Sequence, residues 1–311
     1  MRSRACSNVS SVLVLAGTTA SGKTDLAIAL ARKFDAEIVG ADSRQIYRGM
    51  PIGTAAPSPA QLASVPHHLV GFVDANERYS ASRYARDAMA AIGDIVRRKK
   101  RAIVAGGTGF YIRALTGGVA LAAAYDEELR NRLAGEGRTH SAEFLHAWLA
   151  LRDPTRAAAL HGRDTYRVLR ALEVALAGER AAPPERATLA SAGFDWLTVF
   201  LDIPWMEIDR RIAARTEAML EAGLVEEAER TGAGAVAASA LGYPQALAYL
   251  HGWSTYGELR ATLERATRRY ARRQRAWFRG EPGTRWLAPG EVARAVREKL
   301  GWPTKRENAH G

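Results

Sequence analysis

The stretch GTTASGKT, Gly17 to Thr24, sits between the apolar run SVLVLA and the segment DLAIALARKF. Its spacing is that of a G-x-x-x-x-G-K-[ST] phosphate loop. Such a loop works in one setting: a buried strand must end where a helix begins, so that several backbone N–H groups converge and the helix dipole adds partial positive charge. Gly17, Thr18, Thr19, Ala20, Ser21 and Gly22 would form the cradle. Lys23 supplies a full charge for the outer phosphates, and the Thr24 hydroxyl stands where it can ligate Mg²⁺. The motif alone does not say whether the bound phosphate is cut or leaves intact.

The rest of the first third supplies the setting. SVLVLAG, AEIVGAD and RRKKRAIVAGG read as short strands, and KTDLAIALARKF between the first two has helical periodicity. Strands interleaved with helices argue a parallel sheet covered on its faces, with ligands at the carboxyl ends of the strands. From about residue 120 to 195 only helical segments appear: DEELRNRLAG, SAEFLHAWLALRD and DTYRVLRALEVALAG. A strand-like run, WLTVFLDIP, then returns near residue 200. The expected fold is α/β, a P-loop parallel-sheet core with an inserted all-helical domain. Its parts are residues 10–119 and 196–300 for the core, 120–195 for the insertion, and 301–311 for a disordered tail.

Two carboxylates compete for a chemical role. A P-loop phosphotransferase uses an acid at the end of a later strand to hold its metal. Asp202 in TVFLD is one candidate, although Pro204 follows and a strand-end Asp is often a turn residue. Asp42, closing AEIVGAD, lies on the same rim as the phosphate loop. A carboxylate there can take a proton from a nucleophile held beside a phosphate ester. It can equally cap a turn with Ser43; spacing leaves both open. Thr108 in GGTGFY follows the run AIVA, where paired glycines admit either a ligand or a tight strand-to-helix turn.

A net charge of +11 suits a polyanionic partner such as nucleic acid, but the richness in Arg and Ala fits a coding bias as well. One cysteine excludes an internal disulfide, and the seven histidines show no zinc spacing. The start MRSRACSNVSSVLVLAG loosely mimics a secretory signal, yet cleavage near it would destroy the loop. No window approaches the ~20 apolar residues that span a bilayer, so the expectation is a cytoplasmic protein without a membrane partner. In the segment Glu258 to Arg279, Leu259, Leu263, Ala266, Tyr270 and Trp277 share one stripe, with Arg265, Arg268, Arg272, Arg275 and Arg279 broadly opposite. That arrangement reads as a packed face and a basic face able to follow a phosphate backbone.

The stretches GTTASGKT, DSRQIYRGMPIGTA, HHLVGF, GGTGFYIRAL, RVLRALEV, RIAARTEAMLEAGLVEEA, ALGYPQAL and RRQRAWFR occur in that order from residue 17 to about residue 279. Together they resemble the tRNA dimethylallyltransferase family. The resemblance implies that dimethylallyl diphosphate sits with its pyrophosphate in the loop and that Mg²⁺ assists. The five-carbon group then passes to the exocyclic N6 amine of the adenine 3′ of the anticodon. It further implies that Asp42 is the base and that Arg215 and Lys23 hold the diphosphate. On the RNA side it implies Asp42, Ser43, Arg44, Gln45, Thr108 and Gln274, with Arg130, Tyr166, Arg167 and Arg170 of the insertion meeting the anticodon stem-loop. No protein partner is implied. The sequence departs from the family pattern at Thr18, where Pro is usual, and at Tyr166, where Gln is usual.

Overall fold

In the computed structural model, which describes residues 10–119, 127–178 and 187–308, the apolar runs become parallel strands of one sheet. These are β1 (Ser11–Ala16), β2 (Ala36–Gly40), β3 (His67–His68), β4 (Arg101–Gly106), β5 (Asp195–Leu201) and β6 (Arg285–Leu287), in the order β3-β2-β4-β1-β5-β6. Every pairing is parallel. β1 and β2 are buried along nearly their whole length, which explains why they read as continuous apolar runs and not as alternating ones. Register then decides where the site lies. Ala16 pairs with both Gly106 and Phe200, and Gly40 with Ala105, so the loops leaving β1, β2, β4 and β5 emerge on one rim.

Between the strands run α1 (Lys23–Phe34), α2 (Pro59–Ser64), α3 (Ala81–Arg97) and α4 (Gly109–Thr116). A second compact unit, Val119–Arg186, is separate from the unit formed by Met1–Gly118 and Ala187–Gly311. Its described residues form α5 (Glu127–Thr139), α6 (Ala142–Arg152), α7 (Pro154–Ala158) and α8 (Thr165–Ala177). Leu133, Leu145, Leu149, Val168 and Leu172 make its core. Ser141, Asp153 and Asp164 start α6, α7 and α8 by accepting the N–H of Phe144, Arg156 and Arg167. The unit ends earlier than residue 195 because Leu189 is fully buried and donates its N–H to the Leu115 carbonyl, with the sheet-bearing unit.

After β5 follow α9 (Trp205–Glu221), α10 (Leu224–Thr231), α11 (Tyr243–Leu250), α12 (Tyr256–Arg279), α13 (Pro289–Leu300) and α14 (Lys305–Asn308). One apolar cluster joins Leu13 and Leu15 of β1 to Phe34 of α1 and to Val292 and Val296 of α13. A second packs Ile46 and Met50, beyond β2, against Leu224, Tyr243, Leu259 and Leu263 of α10 to α12. The expectation of a disordered tail from residue 301 is corrected as far as residue 308. Trp302 is 3% exposed, meets Phe34 edge-on at 5.8 Å and donates Nε1–H to Ser11 Oγ at 2.7 Å. Burying one such indole is worth about 2–3 kcal/mol, enough to pin a short segment. Residues 309–311 lie outside the described residues.

Candidate active site

The loop leaving β1 is bent before any ligand is considered. Gly22 caps α1 in the left-handed region (φ 80°), and Ala20 adopts the same region at φ 61° despite its Cβ. A non-glycine residue there costs roughly 1–2 kcal/mol, so the surrounding structure holds the bend. A Cβ on Gly17 would lie 2.7 Å from Ser21 Oγ, which explains the glycine at the first position. The hydroxyls of Thr18 and Ser21 are buried and have no hydrogen-bond partner among the described residues. Buried hydroxyls are normally bonded, so two unsatisfied ones in this loop suit a ligand rich in oxygen.

Three charged side chains influence one another electrostatically beside the loop. Lys23, at the start of α1, donates to the Thr18 carbonyl at 3.2 Å. Burial lowers its ammonium to about 8, Asp42 opposes that shift, and Arg215 adds to it. Burial likewise lowers the Arg215 guanidinium, again opposed by Asp42. Arg215 therefore lies within electrostatic reach of Lys23 and Asp42. One turn earlier, Arg211 donates to the Ser21 carbonyl at 3.2 Å and to Glu207 at 2.6 Å. Sequence reasoning missed Arg211, although its i,i+4 spacing from Arg215 puts both on one helical face.

Asp42 begins the turn after β2. Its Oδ1 accepts the Arg44 N–H at 2.9 Å, a local cap, while its charge is felt by Lys23, Arg215, Tyr111 and Tyr270. The turns after β2 and β4 are zipped together: Ala41 N–H bonds to Ala105 O, Thr108 N–H to Ala41 O, and Ser43 N–H to Thr108 Oγ1 at 2.9 Å. A Cβ on Gly106 would overlap the Ala41 carbonyl, so backbone approach explains that glycine. Tyr270, expected on the packed stripe of α12, has its phenol pKa raised by burial and then by the Asp42 charge.

Gln274 lies inside the protein between two loops of the site. It is 5% exposed, its Oε1 accepts the Thr19 N–H at 2.8 Å, and its Nε2 donates to the Gly107 carbonyl at 3.0 Å. The amide joins the phosphate loop to the turn that bears Thr108. A Cβ on Gly107 would overlap Gln274, and one on Gly109 would overlap the Trp277 indole. Gln45 directs its Nε2 to the carbonyls of Thr54 and Ala55 at 3.2 and 2.9 Å, and Arg44 donates to Ser239 Oγ at 3.3 Å.

The other expected contacts divide. Asp202 stands at the end of β5 but is bound by Arg275 at 2.9 Å, and Arg275 also donates to the Ile203 carbonyl. Arg268 pairs with Asp209 and Glu264, and Arg272 lies over the Trp205 ring at 5.0 Å. The basic face of α12 is thus partly internal, because α9 supplies acids and a ring that helical spacing cannot foresee. Its outward part borders a groove of about 500 Å³ lined by Ala261, Glu264, Arg265, Arg268, Arg269 and Arg272. Within the helical unit, Arg130 (3.6 Å) and Arg170 both pair with Glu173, which is 3% exposed. Arg167 pairs with Asp164 at 3.4 Å yet stays exposed, and Tyr166 is 74% exposed.

Residues 45–281 match the family model described as IPP transferase. A protein of Anaeromyxobacter dehalogenans (strain 2CP-C) called tRNA dimethylallyltransferase is 44% identical over 294 residues, covering 93% of this chain and 98% of that protein. The crystal structure of the tRNA isopentenylpyrophosphate transferase of Bacillus halodurans shares 31% identity and a TM-score of 0.68, covering 97% of this chain and 99% of that one. A eukaryotic dimethylallyltransferase solved acting on tRNA shares 26% identity and a TM-score of 0.75, over 95% and 81% of the two chains.

Proposed function

The chain belongs to the IPP transferase family, and from that premise we propose that it transfers a dimethylallyl group from dimethylallyl diphosphate to tRNA. The acceptor is the N6 amine of the adenine 3′ of the anticodon, and the other product is pyrophosphate. The observation that carries the reading is the phosphate loop with its unsatisfied Thr18 and Ser21 hydroxyls, on the same sheet rim as the turn that bears Asp42.

In this reading the diphosphate lies against the N–H groups and unsatisfied hydroxyls of the loop. Lys23 and Arg215 hold its oxygens. The adenine amine attacks C1 of the allyl group, the C1–O bond breaks, and its electron pair leaves with pyrophosphate. The proton shed by nitrogen passes to Asp42. Thr108 and Ser43, bonded to each other, border the nucleotide, with Arg44 and Gln45 behind them. To reach them, the adenine must leave its stack. Tyr166 and Arg167, the outward residues of α8, are assigned to the anticodon stem-loop, and the groove along α12 to phosphates of the RNA.

Mg²⁺ fits the residues present. Among the described residues no group of three His, Cys, Asp or Glu side chains surrounds a cation. Mg²⁺ commonly keeps several waters and uses few protein ligands beside substrate phosphates, which the Thr24 hydroxyl can provide. When bound it would neutralise charge developing on the leaving pyrophosphate. No described helix is long and apolar enough to cross a membrane, and we place the protein in the cytoplasm with its tRNA. Phosphoryl transfer is the weaker reading because Asp202, the strand-end acid it needs, is held by Arg275.

The test is to incubate the protein with tRNA, Mg²⁺ and dimethylallyl diphosphate, digest the RNA to nucleosides and weigh them. The expected result is one adenosine carrying an added five-carbon unit. Unmodified nucleosides from a folded sample, or phosphate transfer from ATP without a prenyl donor, would overturn it.

A further inference from the structure

Glu227, on α10, is completely buried. Its Oε2 accepts the Ile52 N–H at 2.9 Å, and its Oε1 accepts both the Gly53 N–H at 2.7 Å and the Tyr243 hydroxyl at 2.7 Å. Among the described residues no ion pair reaches it. A carboxylate removed from water is costly unless donors fill its lone pairs, and here three neutral donors do so. A hydrocarbon of similar volume would fill the same space without that desolvation. What a carboxylate adds is a fixed position for two backbone amides of the loop after Met50.

That loop leads back to the reacting groups. Its Thr54 and Ala55 carbonyls take the Gln45 side-chain amide, three residues from Asp42, and its Ala55 sits in the left-handed region at φ 48°. A Cβ on Gly53 would lie 2.5 Å from the Tyr243 ring, so loop, ring and carboxylate fit as one block. Arg44 reaches Ser239, just before α11, which gives the same helix pair a second hold on the Asp42 turn. The phosphate loop is held by other residues, Arg211 and Gln274. Resting on the proposed transfer to tRNA, we propose that Glu227 is a positioning residue for the nucleotide-accepting half of the site, fixing Gln45 and the Asp42 turn through the Met50–Ala55 loop and leaving the diphosphate-binding half untouched.

The variant Glu227→Gln keeps the volume but turns an amide NH₂ toward one of the N–H donors. Dimethylallyl diphosphate binding, kcat and KM for tRNA, and the thermal midpoint are measured for it and for the unchanged protein. The expected result is a fall in kcat/KM for tRNA of at least about tenfold, with diphosphate affinity within about twofold, since only donors on the acceptor side lose a partner. Equal loss on both substrates would mean general destabilisation and would overturn the proposal, as would unchanged tRNA kinetics. If Glu227→Gln does not fold, Tyr243→Phe removes the hydroxyl that fixes Glu227 Oε1 and so loosens the carboxylate's hold on the loop amides, with amide hydrogen exchange at Ile52 and Gly53 read beside the kinetics. Faster exchange there together with a raised KM for tRNA supports the proposal. Unchanged tRNA kinetics in that variant overturn it. Absence of any prenyl transfer by the unchanged protein would instead defeat the functional reading on which this inference rests.

Discussion

Gln274→Met tests the joint between the two halves of the site. Methionine keeps the length of the side chain and removes both hydrogen bonds, leaving the Thr19 N–H and the Gly107 carbonyl without their partner in a position 5% exposed. Each orphaned buried group costs about 1–3 kcal/mol, so the pair costs about 2–6 kcal/mol, a sizeable share of a stability of roughly 5–15 kcal/mol. Where the fold survives, the cost falls on the conformation that holds Thr19 in the phosphate loop and Thr108 beside Ser43. Even about 2 kcal/mol there is about a 30-fold loss. Single-turnover prenyl transfer, diphosphate binding and the thermal midpoint, measured on one preparation, separate the outcomes. The expected result is weakened diphosphate binding together with a transfer rate reduced about 30-fold or more. Diphosphate binding at its full strength with only the KM for tRNA raised would show that Gln274 meets RNA and does not join the two loops.

Asp42→Asn keeps an oxygen able to cap the Arg44 N–H but is no base; turnover should fall about 10²-fold or more with tRNA binding retained, and a near-normal rate in a filter-binding and transfer assay would remove Asp42 from the mechanism. The Lys23 ammonium, lowered by burial to about 8 from 10.5, sets two opposite pH trends. Diphosphate affinity should decline above pH 8 by up to about tenfold per pH unit as the amine loses its proton. Stability of the free protein should gain from this group over pH 8 to 10.5, where the unfolded chain binds the proton that the folded one has lost. Lys23→Met should flatten both trends in calorimetric titrations and thermal melts.

Local punctuation made much of the fold readable. The strands β1, β2, β4 and β5 are apolar runs closed by glycine or aspartate, and the phosphate loop is fixed by eight consecutive residues. β3 and β6, two and three residues long, are too short for any period to register. Asp42 was placed on the correct rim because a strand end is a local event. Contacts between distant segments were not readable. Gln274 and Thr19 are 255 residues apart, Arg268 and Asp209 are 59 apart, and Glu227 reaches Gly53 across 174. A helical wheel tells which side of α12 an arginine occupies; it cannot tell that α9 lays an aspartate against it. Arg130 illustrates the same limit, since its partner Glu173 lies on a different helix of the unit, whereas Arg170 and Glu173 are i,i+3 neighbours whose pairing helical spacing does suggest. Trp302 stood in a polar tail whose composition hid its pocket.

The left-handed bend at Ala20 is part of the fold itself. In the proposed reaction a diphosphate would meet a loop whose bend the surrounding structure holds, and would so avoid the ordering entropy that a slack loop adds to every binding event. Capture speed is then governed by diffusion and by the local excess of positive charge, and rises as ionic strength falls.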